Sequence, residues 1–113
     1  MNSRPAWVLP EELRQLAEQV DKGIVAEVLT AFQNDTAARV AKLRTALADG
    51  DRTGIRNESH AMKGSAGQVG APALAAICQS LEFRAMIADT AELQSILNQV
   101  EAEFSEVLHA INA

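Results

Sequence analysis

The segment from His60 to Gly67 carries the residue types best suited to chemistry in this chain. Apolar or small side chains recur around it with the spacing of a helix that buries one face: Ile55, Ser59, Met62, Ala66 and Val69. At about 100° per residue, His60 lies roughly 160° around such a helix from Met62, so it faces away from the core. An exposed imidazole is a competent nucleophile near neutral pH, because its unperturbed pKa is about 6.5.

Two glycines and a lysine accompany the histidine. Gly64 and Gly67 follow His60 by four and seven residues, so they lie on its face of the helix. A glycine inside a helix costs about 1 kcal/mol relative to alanine, so two of them need a reason. One possible reason is access, because a large partner can approach an imidazole that has no side chains beside it. The other possible reason is close helix packing. Lys63 brings a positive charge to the same neighbourhood.

A longer pattern extends from this helix in both directions. It comprises His60-x-x-Lys63-Gly64-Ser65, then Gly70, Leu74, Cys78 and Leu81-Glu82, and upstream Phe32-x-x-Asp35, Leu43-x-x-Ala46 and Gly50-Asp51. Together these residues resemble the histidine-containing phosphotransfer (HPt) domain of multistep phosphorelays, and the resemblance covers nearly the whole chain. Many HPt domains carry a second serine where this chain has Ala66. Ala66 falls on the core side of the helix, so we expect this departure to affect packing more than chemistry.

The resemblance implies a phosphocarrier that has no catalytic activity of its own and binds no ATP. His60 would accept a phosphoryl group through Nε2 and pass it on, shuttling it between aspartates of response-regulator receiver domains, with a hybrid histidine kinase as a further partner. No cofactor is expected on this chain, and Mg²⁺ is expected on the partner receiver domain. We assign Gly64, Gly67, Arg56, Ser65 and Gln68 to access and partner docking on the histidine helix.

Other functions are less well supported by the sequence. A helical interaction module could use the same surface without phosphotransfer. A histidine kinase dimerisation domain would need a catalytic ATP domain, for which the chain is too short. The glycine-rich run from Ser65 to Gly70 lacks the spacing of a phosphate-binding loop and follows no predicted strand. His60, Cys78 and His109 lack metal-ligand spacing, so no metal site is predicted.

Composition supports a single globular domain over residues 1–113. Hydrophobic residues make up 48% of the chain and charged residues 22%. The net charge of -5 argues against non-specific binding to nucleic acid or to an anionic membrane. No apolar run approaches the length of a membrane span, no signal peptide is recognised, and the single Cys78 forms no internal disulfide. We therefore expect a cytoplasmic protein, most simply a monomer.

Periodicity and capping residues predict five helices. A short helix covers about 10–20, a long one about 22–48 and the histidine helix about 52–69, with further helices starting at Pro72 and after Asp89. The stripe predicted for the long helix includes Val28, and Asp89 to Glu92 reads as a capping box. The fold class expected is all-α, an antiparallel up-and-down four-helix bundle with a short additional N-terminal helix. Residues 1–8 are expected to form a loose lead-in, anchored by Trp7 and Val8.

Overall fold

The computed structural model describes residues 5–113, which form five α-helices and no β-strand. The helices are α1 (Glu11–Gln19), α2 (Lys22–Asp49), α3 (Arg52–Val69), α4 (Pro72–Arg84) and α5 (Thr90–Ile111). The predicted all-α class is confirmed, and each predicted boundary agrees with the observed one to within a residue. None of the described helices is long and apolar enough to cross a membrane.

Short polar caps fix where the helices begin and end. The carboxylates of Asp21, Asp51 and Asp89 each accept a backbone N–H from the first turn of the following helix, at 2.8–2.9 Å. Gly50 and Gly70 end α2 and α3 with φ values of 69° and 91°, in the left-handed region that glycine adopts most readily. These caps explain why the sequence located the helix boundaries so closely.

The capping box predicted at α5 forms only in part. Asp89 caps the helix as expected, but the carboxylate of Glu92 does not turn back toward the cap. It accepts instead from Arg84 at the end of α4, with one N–O distance of 3.0 Å. The glutamate therefore joins two helices rather than closing its own first turn, because the tertiary fold brings a guanidinium within its reach.

Helices α2 to α5 form the bundle, with each helix packed on its neighbours and α2 packed on α5. Its centre consists of large side chains that are almost fully buried: Leu43, Met62, Leu74, Leu81, Leu93, Leu97, Val100 and Val107. The most extensive interface is that of α3 with α4. These two helices also carry small, fully buried side chains, at Ser59, Ala66 and Cys78. Small residues at an interface let helix axes approach closely.

The N-terminal part of α2 extends beyond the bundle. Asn112, at the end of α5, donates to the side chain of Gln33 at 3.3 Å, so α2 residues before Gln33 project past α5. Val28 lies in this projecting part and is 36% exposed, so its predicted place in the core is wrong. Helix α1 packs on α2 and has no packing contact with α3.

Residues 5–8 of the lead-in are attached to the end of α3. The indole Nε1 of Trp7 donates to the Val69 carbonyl at 2.8 Å, and the Val8 N–H donates to the Gly70 carbonyl at 2.9 Å. Trp7 also packs against the core. The two residues expected to anchor the lead-in thus contact the turn that follows the histidine helix. Residues 1–4, the rest of that lead-in, lie outside the described residues.

Replacing Gly70 should detach this lead-in. A Cβ at Gly70 would lie 1.9 Å from the Val8 carbonyl oxygen, and the new residue would also have to adopt a positive φ. Gly50 has a positive φ too, but a Cβ at that position would meet no atom within 4 Å, so Gly50→Ala is the matched control. We expect Gly50→Ala to cost about 1 kcal/mol of unfolding free energy. Gly70→Ala should cost clearly more.

Fluorescence of Trp7, the only tryptophan in the chain, separates loss of the Val8 contact from the cost of a positive φ. It should move toward the emission of an exposed indole in Gly70→Ala and stay unchanged in Gly50→Ala, at temperatures where both variants are folded. Equal unfolding free energies and equal emission spectra for the two variants would show that the Val8 contact contributes nothing.

Candidate functional site

His60 lies in the middle of α3 with its side chain 67% exposed. The five residues of the predicted apolar stripe, Ile55, Ser59, Met62, Ala66 and Val69, are all buried. Burial of that stripe turns the opposite face of α3 outward, and the imidazole with it. The side chain is accessible to a macromolecular partner without any rearrangement of the helix.

One carboxylate holds both the histidine and the lysine. Glu82, on α4, places Oε2 2.8 Å from Nδ1 of His60 and Oε1 3.0 Å from Nζ of Lys63. An ionised carboxylate can only accept hydrogen bonds, so Nδ1 must carry a hydrogen. In the neutral ring Nε2 then bears the free lone pair. The α4 carboxylate therefore selects the tautomer in which Nε2, the nitrogen not bound to Glu82, carries the free lone pair.

Glu82 remains ionised well below neutral pH. The contact with Lys63 has the largest effect and lowers the pKa of the Glu82 carboxyl. Burial, the next largest effect, raises this pKa, and the hydrogen bond from His60 and the positive charges of both partners lower it further, so that the pKa is lowered on balance. Because the pKa is lower in the folded state, this carboxylate stabilises the fold above its ordinary pKa, and the stabilisation is lost as pH falls through the lowered value. The contact that orients His60 thus persists across the physiological range.

Lys63 is paired but not saturated. Its ammonium group carries three N–H donors, and the contact with Glu82 accounts for one. Its side chain is about one-third exposed. The remaining donors are available to a group that approaches from solvent, although Glu82 offsets part of the positive charge.

The two helical glycines face open space. A Cβ built on Gly64 or Gly67 would meet no atom within 4 Å, other than those of its own helix backbone and chain neighbours. Close packing of another helix against these positions is therefore excluded among the described residues. Of the two reasons considered for these glycines, packing is wrong, and access to the imidazole stays as the prediction.

The remaining predicted docking residues differ in exposure and in their position relative to His60. Arg56 is exposed one turn before His60 and lines a surface groove together with Lys63. Gln68 is exposed roughly 80° around α3 from the histidine. Ser65 is half-buried, about 140° from His60, and its hydroxyl donates to the Met62 carbonyl at 3.3 Å. The structure thus does not bring Ser65 to the histidine, because the helical rotation carries it to the other flank.

Cys78 and His109 do not join the histidine. Burial of Cys78 raises the pKa of its thiol to about 12, as expected for an unreactive core residue. His109 is exposed on α5. Within residues 5–113, no three His, Cys, Asp or Glu side chains lie close enough together to hold a metal ion.

The sequence alone did not reveal the role of Glu82. It lies 22 residues from His60 in the sequence, where only the family pattern includes it. A usable signal was present: Lys63 and Glu82 carry opposite charges and each follows a buried core residue, Met62 and Leu81. In adjacent antiparallel helices such flanking charges can meet, but their register is set only by the packing of α3 on α4.

Comparisons with known proteins identify the family to which the chain belongs. Residues 27–110 match the family model of the Hpt domain, and the chain belongs to that family. It is thereby a histidine phosphotransfer domain of phosphorelay signalling. Among solved structures, it is similar to the histidine-containing phosphotransfer protein B (HptB) from Pseudomonas aeruginosa PAO1, with a TM-score of 0.80 and 28% sequence identity over 97% of this chain and 96% of that one. No match was found among curated proteins.

Removing the Glu82 carboxylate should change the tautomer populations of the His60 ring. In the wild-type protein above the pKa of the imidazole, nitrogen NMR should show the His60 hydrogen on Nδ1. In Glu82→Ala the population of that tautomer should fall, because the acceptor is gone. His109 is the internal control in the same spectrum, and its nitrogen shifts should not change. A His60 ring that keeps its hydrogen on Nδ1 in the variant would contradict the tautomer assignment.

Alanine at either open glycine should stabilise the fold. Gly64→Ala and Gly67→Ala should each raise the unfolding free energy by up to about 1 kcal/mol, because alanine favours the helix and meets no atom. Gly54→Ala is the contrasting control, since its Cβ would lie 2.4 Å from the Asp51 carboxylate that caps α3. It should lower the melting temperature. A lower melting temperature for Gly64→Ala would revive the packing explanation.

Proposed function

We propose that this chain carries a phosphoryl group on Nε2 of His60 and exchanges it with the aspartates of receiver domains. The observation that carries the proposal is the hydrogen bond between Nδ1 of His60 and Glu82, which leaves Nε2 exposed with a free lone pair. Membership of the Hpt family and the likeness to HptB support histidine phosphotransfer as the reaction. The receiver domain as donor and acceptor is the finer part of the proposal.

In the accepting direction, the Nε2 lone pair attacks the phosphorus of an aspartyl phosphate. The N–P bond forms as the bond from phosphorus to the aspartyl oxygen breaks, and the aspartate leaves as a carboxylate. The ring keeps its hydrogen on Nδ1 and becomes positively charged. Glu82, ionised and 2.8 Å away, stabilises that charge as it develops. The donating direction reverses each step and needs no further proton.

Lys63 and the glycines have complementary roles in this reaction. Phosphoryl transfer depends mainly on positioning and on neutralising charge on the phosphoryl oxygens. The free N–H donors of Lys63 can contact one of those oxygens while Glu82 holds the side chain in place. Gly64 and Gly67 leave the space in which the loops of a partner can close over the imidazole. The Mg²⁺ that neutralises the remaining charge belongs, in this proposal, to the receiver domain.

The proposal also names activities and ligands that we do not expect for this chain. We propose a monomeric phosphocarrier that binds no ATP, has no nucleic-acid or membrane ligand, and receives its phosphoryl group from a hybrid histidine kinase through a receiver domain. The single cysteine is free and buried, which suits a reducing compartment, so the proposed location is the cytoplasm.

Phosphoryl acceptance should depend on His60 and not on His109. A receiver domain labelled with radioactive acetyl phosphate should transfer its label to the wild-type protein, as an acid-labile and alkali-stable phosphoramidate. His60→Gln should accept no detectable label and keep its melting temperature, because the side chain is exposed. His109→Gln is the matched control, also exposed on a helix, and should accept label at the wild-type rate.

Label on the His60→Gln variant would refute the assignment of the nucleophile. A wild-type protein that binds the phosphorylated receiver domain without taking its label would favour the alternative function, a helical interaction module. Binding and label transfer are therefore measured on the same pair of proteins.

A further inference from the structure

Three large apolar side chains are exposed where α4 ends. Phe83, Met86 and Ile87 are 78%, 50% and 67% exposed. They occupy positions i, i+3 and i+4 of a backbone that is helical or tightly turned, so they lie side by side on one face. We call these three residues the α4 patch. Exposed apolar residues that cluster in this way commonly mark an interaction site.

The α4 patch is continuous with the surroundings of His60. A groove of about 340 Å³ between α3 and α4 is lined by Arg56, Lys63, Gln79, Glu82, Phe83 and Met86. It therefore contains two residues of the patch and both residues of the Glu82–Lys63 pair that adjoins the histidine. A macromolecule that reaches Nε2 from solvent on this side would cover the groove and the patch together.

The patch is held in place rather than carried by a loose loop. One guanidinium nitrogen of Arg52 donates to the carbonyls of Ala85 and Ala88, at 2.9 and 2.6 Å. Both alanines are buried and bracket the exposed Met86 and Ile87. The turn is thus fixed from α3, and binding to it would require little ordering of the backbone.

The charges of the groove suit an anionic partner. Arg56 and Lys63 lie on its α3 wall, and Glu82, on the α4 wall, pairs with Lys63. Arg56 forms no ion pair among the described residues, so the groove keeps one uncompensated positive charge although the chain as a whole carries a net charge of -5. An aspartyl phosphate is anionic, so its carrier would approach these cations favourably. A second copy of this chain would bring like charges together and would cover His60 in both copies.

We propose that the α4 patch and this groove form the docking surface for the phosphorylated receiver domain. The inference rests on the function proposed above and assigns the side from which the partner approaches. The apolar side chains of the patch provide affinity, and Arg56 and Lys63 orient the phosphoryl group toward Nε2. Val20 and Val28, which are also exposed, lie on the α1–α2 side and do not line the groove.

The test compares two double variants that remove exposed apolar residues. Phe83→Ser/Ile87→Ser removes the patch, and Val20→Ser/Val28→Ser is the matched control. Each is labelled by a phosphorylated receiver domain and, separately, by phosphoramidate, a small donor that needs no docking surface. We expect the patch variant to lose about ten-fold or more in kcat/KM with the receiver domain, relative to any change with phosphoramidate. The valine variant should match the wild type with both donors.

Binding is also measured without transfer, so that docking can fail or succeed independently of the phosphocarrier function. The His60→Gln variant is titrated with a receiver domain activated by beryllofluoride, with and without the two patch substitutions. Weaker binding of the protein that carries the two patch substitutions supports the proposal even if no phosphoryl group is transferred.

Three outcomes would overturn the proposal. In the first, the patch substitutions change neither the binding of the receiver domain nor the kcat/KM of transfer from it. The second is a loss confined to the valine variant, which would place the docking surface on the α1–α2 side. The third is a wild-type dimer, detected by sedimentation, that the patch substitutions dissociate while receiver transfer is unchanged; the occupant of the patch would then be a second copy of this chain.

Discussion

The packing of α3 against α4 is the constraint on which the proposed site depends. Small buried side chains, including Ser59 and Cys78, allow the two helices to pack over an extensive interface. That interface brings Glu82 to 2.8 Å from His60 and to 3.0 Å from Lys63. A rotation or slide of one helix by a single residue would separate the carboxylate from both partners. The core therefore fixes the tautomer of a side chain that is itself exposed.

The site combines a fixed contact on one side of the imidazole with open space on the other. Below the imidazole, a carboxylate on a rigid helix orients the ring and stabilises positive charge on it. Above it, glycine replaces the side chains that would otherwise crowd the ring, at an intrinsic cost of about 1 kcal/mol for each position. The α4 turn beside the site is held from α3 by Arg52. A phosphocarrier that must admit a second protein needs this combination, since its nucleophile has to be both oriented and reachable.

Much of the fold could be predicted because it is determined locally. Asp51 and Gly50 mark a helix boundary by their own hydrogen bonds and backbone conformation, which depend on a few neighbouring residues. The apolar stripe of α3 was likewise readable from spacing alone. Val28 was assigned to the core wrongly because periodicity shows which face of a helix is apolar, and not how far the neighbouring helices extend along it.

The sequence by itself determined the all-α class, the helix boundaries, the outward position of His60 and, through the family pattern, membership of the histidine phosphotransfer family. Only the tertiary structure decided that Glu82 contacts His60 and Lys63, that Gly64 and Gly67 face open space, and that Ser65 lies on the other flank. The physical reason is that contacts across helices depend on their relative register and axial spacing. These are set by the joint packing of many core side chains, and no local pattern records them.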